Sequence, residues 1–342
     1  MNQADLAANS YSVDPAEAIL DGHQCMVTAV AFHPTLNVLA SASEDRTIKI
    51  WQYDIGALQR TVLGHTGSVN DLDFNSKGTL LVSCSSDRTI KIWDVENGWG
   101  DTKTFVGHEH TVSSVRFMPG DQQIVSGSRD GTVRIWDVAS TAELRTVIAN
   151  AGWIRCVRPS YDGQAILSSS DQVARLSDAR TGQTLVEFVG HDLVVEAAVF
   201  APVAAYPAIR ELAGHISAAG GPERPGRYMA TASRDKCIKI WDCQSGQAIG
   251  TLVGHCYWVQ ALVFHPSGKY LLSASDDYTI RVWELRTGRC VRTVEAHPHF
   301  VSCLALNPRS ARSRSLVASG GPDMTIKVWD EEAWIQEASA RL

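Results

Sequence analysis

One stretch constrains this chain more than any other, because the chain repeats it: Ser126-Gly-Ser-Arg-Asp-Gly-Thr-Val-Arg-Ile-Trp-Asp137. Asp130-Gly131 is a tight-turn signal, and Val133 and Ile135 alternate with polar neighbours at the period of a half-buried strand. Similar stretches occupy 41–51, 83–94, 231–242, 273–284 and 319–330, with a degraded version at 168–178. A Gly-His pair stands upstream of five intact copies, at Gly22-His23, Gly64-His65, Gly107-His108, Gly190-His191 and Gly254-His255. Ala296-His297 replaces it in one repeat, and Ala149-Asn150 in the degraded one. A repeat of this length cannot bury its apolar face alone, so neighbours must stack. The pattern predicts an all-β fold, a single seven-bladed β-propeller with four-stranded blades.

The spacing locates the blades. His23, His65, His108, Asn150 and His191 lie 41 to 43 residues apart, and His255 follows after 64. The excess is an Ala-, Pro- and Gly-rich insertion at 201–227, between the first and second strands of the fifth repeat. It reads as a long surface loop with a short helix near 208–213. In the first repeat the strands are expected at 27–33, 39–43, 47–53 and 59–63. The seventh repeat lacks a fourth strand of its own, since Asp330-Glu-Glu-Ala-Trp does not read as one. The segment 16–21 precedes Gly22-His23 as 59–63 precedes Gly64-His65, so it should complete the last blade and close the ring. The expected organisation is a disordered segment over 1–15, the propeller over 16–331 and a tail over 332–342.

Composition excludes more than it assigns. A net charge of −6 gives no reason to expect nucleic acid or an acidic membrane as partner. No apolar run approaches the length of a membrane span and no secretory leader is legible, so a cytoplasmic protein is expected. The eight cysteines are scattered, with no Cys-x-x-Cys pair; Cys84, Cys156 and Cys303 fall at strand positions and read as small buried apolar residues. The histidines form no cluster with ligand spacing, so no metal and no cofactor is expected.

Five repeats carry a His, a Ser, an Asp and a Trp at constant spacing: His23, Ser43, Asp45 and Trp51; His65, Ser85, Asp87 and Trp93; His108, Ser128, Asp130 and Trp136; His191, Ser233, Asp235 and Trp241; His255, Ser275, Asp277 and Trp283. A His, a Ser and an Asp invite a catalytic reading. Repetition argues against it, since a catalytic triad is needed once, beside one pocket. The structural reading is a buried hydrogen-bonded chain: Asp holds the His ring, Ser bridges, and the Trp N–H is satisfied. The fourth repeat has Asn150 and Ser177 in place of His and Trp, keeping Ser169 and Asp171, and the seventh has Gly321 at the serine position. Both read as weaker blades, and the chain as a non-enzyme.

With these motifs the chain resembles the WD-repeat family over nearly its whole length. Trp153-Ile-Arg-Cys-Val-Arg-Pro159, His191-Asp-Leu-Val-Val-Glu196, Ser233-Arg-Asp-Lys236, Gly254-His-Cys-Tyr-Trp-Val259 and Ala296-His-Pro-His-Phe-Val301 are similar to the lissencephaly protein family, called NudF in filamentous fungi. The insertion Val203-Ala-Ala-Tyr-Pro-Ala-Ile-Arg-Glu-Leu-Ala-Gly214 looks like its fungal branch. The resemblance implies a regulator that binds the motor domain of the cytoplasmic dynein heavy chain at microtubule plus ends and spindle poles. It implies roles in nuclear migration and spindle positioning, with a NudE-type coiled-coil adaptor as a further partner. By position, the family's dynein-facing residues fall on Arg129, Arg155, Arg234 and Trp258, with Tyr278 where the family carries a lysine. Gln260 likewise replaces a typical arginine, so the face is less positive than the family's.

The family also has an N-terminal dimerisation module, and no heptad pattern precedes Gly22-His23, so a homodimer is not expected of this chain. A reading from another class is a substrate receptor of a cullin-type ubiquitin ligase, because Trp283-Glu-Leu-Arg286 fits the short box of such WD proteins.

Overall fold

The computed structural model describes residues 16–148, 152–214, 225–307 and 315–340. The segment 1–15, Asn150, and the parts of the insertion and tail at 215–224 and 341–342 lie outside the described residues. Seven antiparallel sheets of four strands each make the seven-bladed propeller. In blade one, Val27–Phe32, Val38–Ser43, Ile48–Gln52 and Ala57–Val62 pair in chain order. Blade seven takes three strands from the C-terminal repeat, Cys303–Leu306, Leu316–Gly320 and Thr325–Asp330, and its fourth from Ala18–Asp21. The closing strand pairs Ala18 with Val328 and Asp21 with Thr325, as the missing strand required. Its Leu20 is buried between the strands of blades seven and one.

Strand burial follows position in the blade. The second strands Val38–Ser43, Tyr228–Ser233 and Tyr270–Ser275 are buried throughout, while the fourth strand of blade one is mostly exposed. The core lies between blades: Val38, Ala40, Ile48 and Ile50 of blade one pack on Val69, Leu72, Leu81 and Trp93 of blade two. This is why no single repeat is a folding unit. Gly of the Gly-His pair is required by close approach, since a Cβ on Gly64 would lie 2.8 Å from Cη2 of Trp93.

In six blades a bulge interrupts the pairing of first and second strands at one point, between Val27 and Ala29, Val69 and Asp71, Val112 and Ser114, Ile154 and Cys156, Val195 and Ala197, and Val259 and Ala261. A bulge re-aims the skipped side chain. Two of the skipped residues are Arg155 and Glu196, and both matter below.

The insertion contains helix α1, Tyr206–Leu212, beginning slightly earlier than expected, with Pro207 in its first turn. Tyr206 is fully buried, edge-on to Tyr228 at 4.9 Å, and its hydroxyl accepts the Arg227 N–H at 3.0 Å. This half of the insertion is therefore packed onto blades five and six. Where a tail was expected there is helix α2, Glu331–Ala340. Its Trp334 is buried against Trp329, ring centres 5.8 Å apart, and the Glu331 carboxylate is buried 2.7 Å from His265 Nε2.

Candidate functional site

The repeated polar residues form the chain foreseen, with one correction. In blade two, His65 Nδ1 donates to Asp87 at 2.8 Å, His65 Nε2 accepts from the Ser83 hydroxyl at 2.8 Å, and Trp93 Nε1 donates to the same hydroxyl at 2.9 Å. The bridging residue is Ser83, two positions before the expected Ser85. The same holds for Ser41, Ser126, Thr231 and Ser273 in place of Ser43, Ser128, Ser233 and Ser275. Strand register is the reason. Trp93 sits opposite Leu81, so its indole reaches Ser83, whereas Ser85 lies at the end of the strand beyond it. The expected serines hold the turn: Ser85 accepts the Asp87 N–H at 3.0 Å, and Ser43 donates to Cys25 O at 3.1 Å.

The same register corrects blade seven. Ser319, and not the Gly321 position, is the bridge, joined to His297 Nε2 at 2.8 Å and Trp329 Nε1 at 2.9 Å, with His297 Nδ1 2.7 Å from Asp323. Blade seven is therefore complete. Blade four alone departs among the described residues. Its turn is one residue shorter, since Ser169 pairs with Ala174 where Ala42 pairs with Ile48, so Asp171 does not occupy the place of Asp45. The Ser168, Ser169, Ser170 and Ser177 hydroxyls are buried with no hydrogen-bond partner among the described residues. In the complete sets the serine oxygen is sealed between imidazole and indole, out of reach of any substrate carbon.

The second group of expected residues comes together at one rim. Arg129 follows the second strand of blade three, Arg155 is the bulged residue of blade four, Arg234 begins the turn of blade five, and Trp258 precedes the first strand of blade six. The Arg129 and Arg155 guanidinium carbons lie 4.8 Å and 3.5 Å from the ring centre of Trp153. The Arg234 guanidinium lies 4.1 Å from the ring centre of Trp258, and Arg234 also donates to Glu196. Glu196 stands 3.9 Å from Arg155 as well, so one carboxylate links two guanidiniums. Their side chains are only 18%, 26% and 10% exposed for Arg155, Arg234 and Glu196. Burial lowers the Arg155 pKa from its ordinary value, and Glu196 opposes that shift. The contact chain itself holds three guanidiniums and one carboxylate, with Arg129 its most exposed charge, while Asp171 and Asp276 stand near enough to act on Arg155 and Arg234.

Tyr278 is not part of this contact chain. It occupies a left-handed turn position, φ 73°, with its ring edge-on to His299 at 6.4 Å. Trp153 and Glu196, which complete the strip, were not singled out from sequence as site residues. A signal existed for Trp153: it stands three residues after Asn150, as Trp258 stands three after His255. Gln260, another bulged residue, bonds Asp276 at 3.0 Å and stays off the strip. Trp283 is buried inside the set of blade six, so the Trp-Glu-Leu-Arg match is accounted for by the repeat itself.

Comparison with known proteins agrees with this architecture. The family described as WD domain, G-beta repeat matches residues 16–52, 56–94, 99–137, 142–178, 207–242, 246–284 and 288–330. The chain belongs to the WD-repeat family. It is 47% identical over 270 residues to the nuclear distribution protein PAC1 of Coccidioides posadasii, covering 74% of this chain and 56% of that one. It is 53% identical over 254 residues to PAC1 of Coprinopsis cinerea, with 74% and 58% covered. It is 45% identical over 253 residues to nudF of Emericella nidulans, with 72% and 56% covered. The resemblance to the NudF group is thus borne out, while the WD-repeat chain spans less than two thirds of the length of these curated relatives. No helix among the described residues is long and apolar enough to cross a membrane. Among them, no group of three or more His, Cys, Asp or Glu is placed to hold a metal ion.

Proposed function

We propose that this chain is a protein-docking propeller that regulates cytoplasmic dynein by binding its motor domain, in the service of nuclear migration and spindle positioning. The observation that carries the reading is the continuous strip Arg129, Trp153, Arg155, Glu196, Arg234 and Trp258 on one rim. Support comes from the relatives, whose names assign them to nuclear distribution. The strip suits docking without chemistry. Trp258 offers apolar anchor area, and Arg129 is free to meet carboxylates on an acidic surface. Arg155 and Arg234 are held rigid by Trp153, Trp258 and Glu196, so little side-chain entropy is lost on binding. Plus-end and spindle-pole localisation and engagement of a NudE-type adaptor belong to the same proposal.

Binding to immobilised dynein motor domain tests it. Trp258→Ala should weaken binding roughly thirty-fold, the equivalent of about 2 kcal/mol for a hot-spot truncation. Arg129→Ala should weaken it with little change in melting temperature, because Arg129 is exposed. Tyr278→Lys should strengthen it modestly and make it more sensitive to salt. Full affinity in folded Trp258→Ala and Arg129→Ala proteins sinks the rim as the dynein contact.

A further inference from the structure

Beside the strip, toward blades six and seven, the same face carries a cleft of about 860 Å³. Its lining includes Tyr257, Asp276, Tyr278, Glu295, Pro298 and Phe300. Three aromatic rings there face solvent, Tyr257 at 60%, Tyr278 at 48% and Phe300 at 40% exposure. Exposed aromatic groups gathered in one concavity mark a binding surface more strongly than apolar residues scattered singly.

The charges define what such a surface takes. Asp276, Asp277 and Glu295 line the cleft with one opposing guanidinium, that of Arg281. Arg281 is buried and turned to the Cys290 sulfur, and Asp277 is engaged by His255, so the exposed Glu295, together with Asp276, whose Oδ1 accepts from Gln260, sets the field at the opening. Lys236 stands nearby, its ammonium 5.8 Å from the Tyr257 ring centre, so that ring already meets a cation. A few residues away the fold shows what aromatic and carboxylate groups hold together: Arg234 lies over Trp258 while donating to Glu196.

We infer that this cleft binds an arginine side chain of an extended partner peptide, stacked on Tyr257, Tyr278 or Phe300 and paired with Glu295 and Asp276. Arginine fits better than lysine, because a planar guanidinium stacks on aromatic faces and bonds carboxylates in pairs. The volume is that of a pocket for a short segment. The site adjoins the proposed dynein strip, the Asp276 N–H donating to Trp258 O at 2.9 Å, but it uses different side chains, and only Tyr278 belongs to both assignments.

Fluorescence anisotropy with fluorescein-labelled Gly-Arg-Gly-Arg-Gly tests the inference, with the citrulline peptide as a neutral control of the same shape. The arginine peptide should bind saturably, and the citrulline peptide at least about tenfold more weakly. Phe300→Ala and Glu295→Gln, each with an unchanged melting temperature, should weaken arginine-peptide binding about fivefold or more. Equal binding of the two peptides, unchanged affinity in both variants, or no saturable binding overturns the site. Tyr278→Lys separates the two readings, since it should weaken peptide binding while strengthening dynein binding.

Discussion

Blades two and four share strand plan and pairing, yet differ in what fills their interiors. Blade two joins His65, Ser83, Asp87 and Trp93 in one closed set of hydrogen bonds. Blade four has Ser177 where the tryptophan would be, a turn shortened by one residue, and buried hydroxyls with no partner among the described residues. It is a complete four-stranded blade all the same. Its Leu167, Ala174 and Leu176 pack with Phe200 and Trp241 of blade five, and its Ile154, Val157 and Ile166 with Val125 and Val133 of blade three. Packing between blades thus suffices to form a blade, and the polar set adds stability and a unique turn geometry. The blade lacking the set also supplies Trp153 and Arg155 to the strip, a local departure at a candidate site of the kind that function tolerates.

The contrast is broken most severely by giving blade two the residue of blade four. Trp93→Ser removes a fully buried indole and takes from the Ser83 hydroxyl one of its two partners, leaving His65. Loss of a large core aromatic costs about 3–5 kcal/mol, and urea unfolding should show a loss of that order. A loss below about 1 kcal/mol would mean that the set contributes little beyond what the neighbouring blades supply.

A smaller contrast separates the two turn aspartates. Asp87 accepts from His65 Nδ1, the Thr66 N–H and Thr89, whereas the Asp171 carboxyl lies against Gly152 and joins no such set among the described residues. Asparagine preserves shape while removing charge. Asp87→Asn should destabilise by about 2 kcal/mol and Asp171→Asn by about 0.5 kcal/mol or less, read from paired urea melts. Equal losses would contradict the hydrogen-bond accounting.

Much of this was legible in the sequence, and what was not has definite causes. The blade count, the insertion and the closing strand follow from spacing, because each repeat is one structural unit. The bridging serine was misplaced by two residues because Ser83 and Ser85 lie on the same strand face, and only cross-strand register shows which one the indole reaches. That error also made blade seven look incomplete, although Ser319 and Asp323 complete it. Trp153 and Glu196 escaped because the strip is built across four blades, from a loop and a bulge whose partners in the preceding blade, Arg129 for Trp153 and Arg155 for Glu196, are distant in sequence. Helix α2 carried no repeat signal, and only the burial of Trp334 reveals its packing.

Acid should narrow the difference between the blades. Burial pushes Asp87 up, but hydrogen bonds from His65 and Thr89 outweigh it and hold the carboxyl well below the usual carboxylate range. Burial likewise opposes Thr47, Gln24 and His23 at Asp45, which is lowered to about 2. A depressed folded-state pKa contributes stability above the unfolded value of about 4, lost as pH falls toward the folded value. The stability gap between the unsubstituted protein and Asp87→Asn should therefore shrink by about 1 kcal/mol or more as pH drops from 4 toward 2. A constant gap across that range would show that the Asp87 charge is not what the set uses.

The finest test reverses the sign of one substitution at two matching positions. Ser83 pairs with Lys91 and Ser168 with Arg175, so the two serines occupy the same place in their blades. Ser83 donates to His65 and accepts from Trp93, both buried, and Ser83→Ala would leave an imidazole nitrogen and an indole N–H unmet. That should cost about 2 kcal/mol, since each unsatisfied buried group carries a desolvation penalty of about 1–3 kcal/mol. Ser168 is fully buried, and its hydroxyl has no partner among the described residues. Removing it relieves a desolvation penalty and breaks no described bond, so Ser168→Ala should leave stability unchanged or raise it by up to about 1 kcal/mol. The two alanine variants, unfolded side by side in urea at neutral pH, should move the midpoint in opposite directions or by clearly unequal amounts. If Ser168→Ala destabilises as much as Ser83→Ala, the Ser168 hydroxyl is satisfied by a group that is not among the described residues, and blade four keeps a polar network of its own where blade two uses His65 and Trp93.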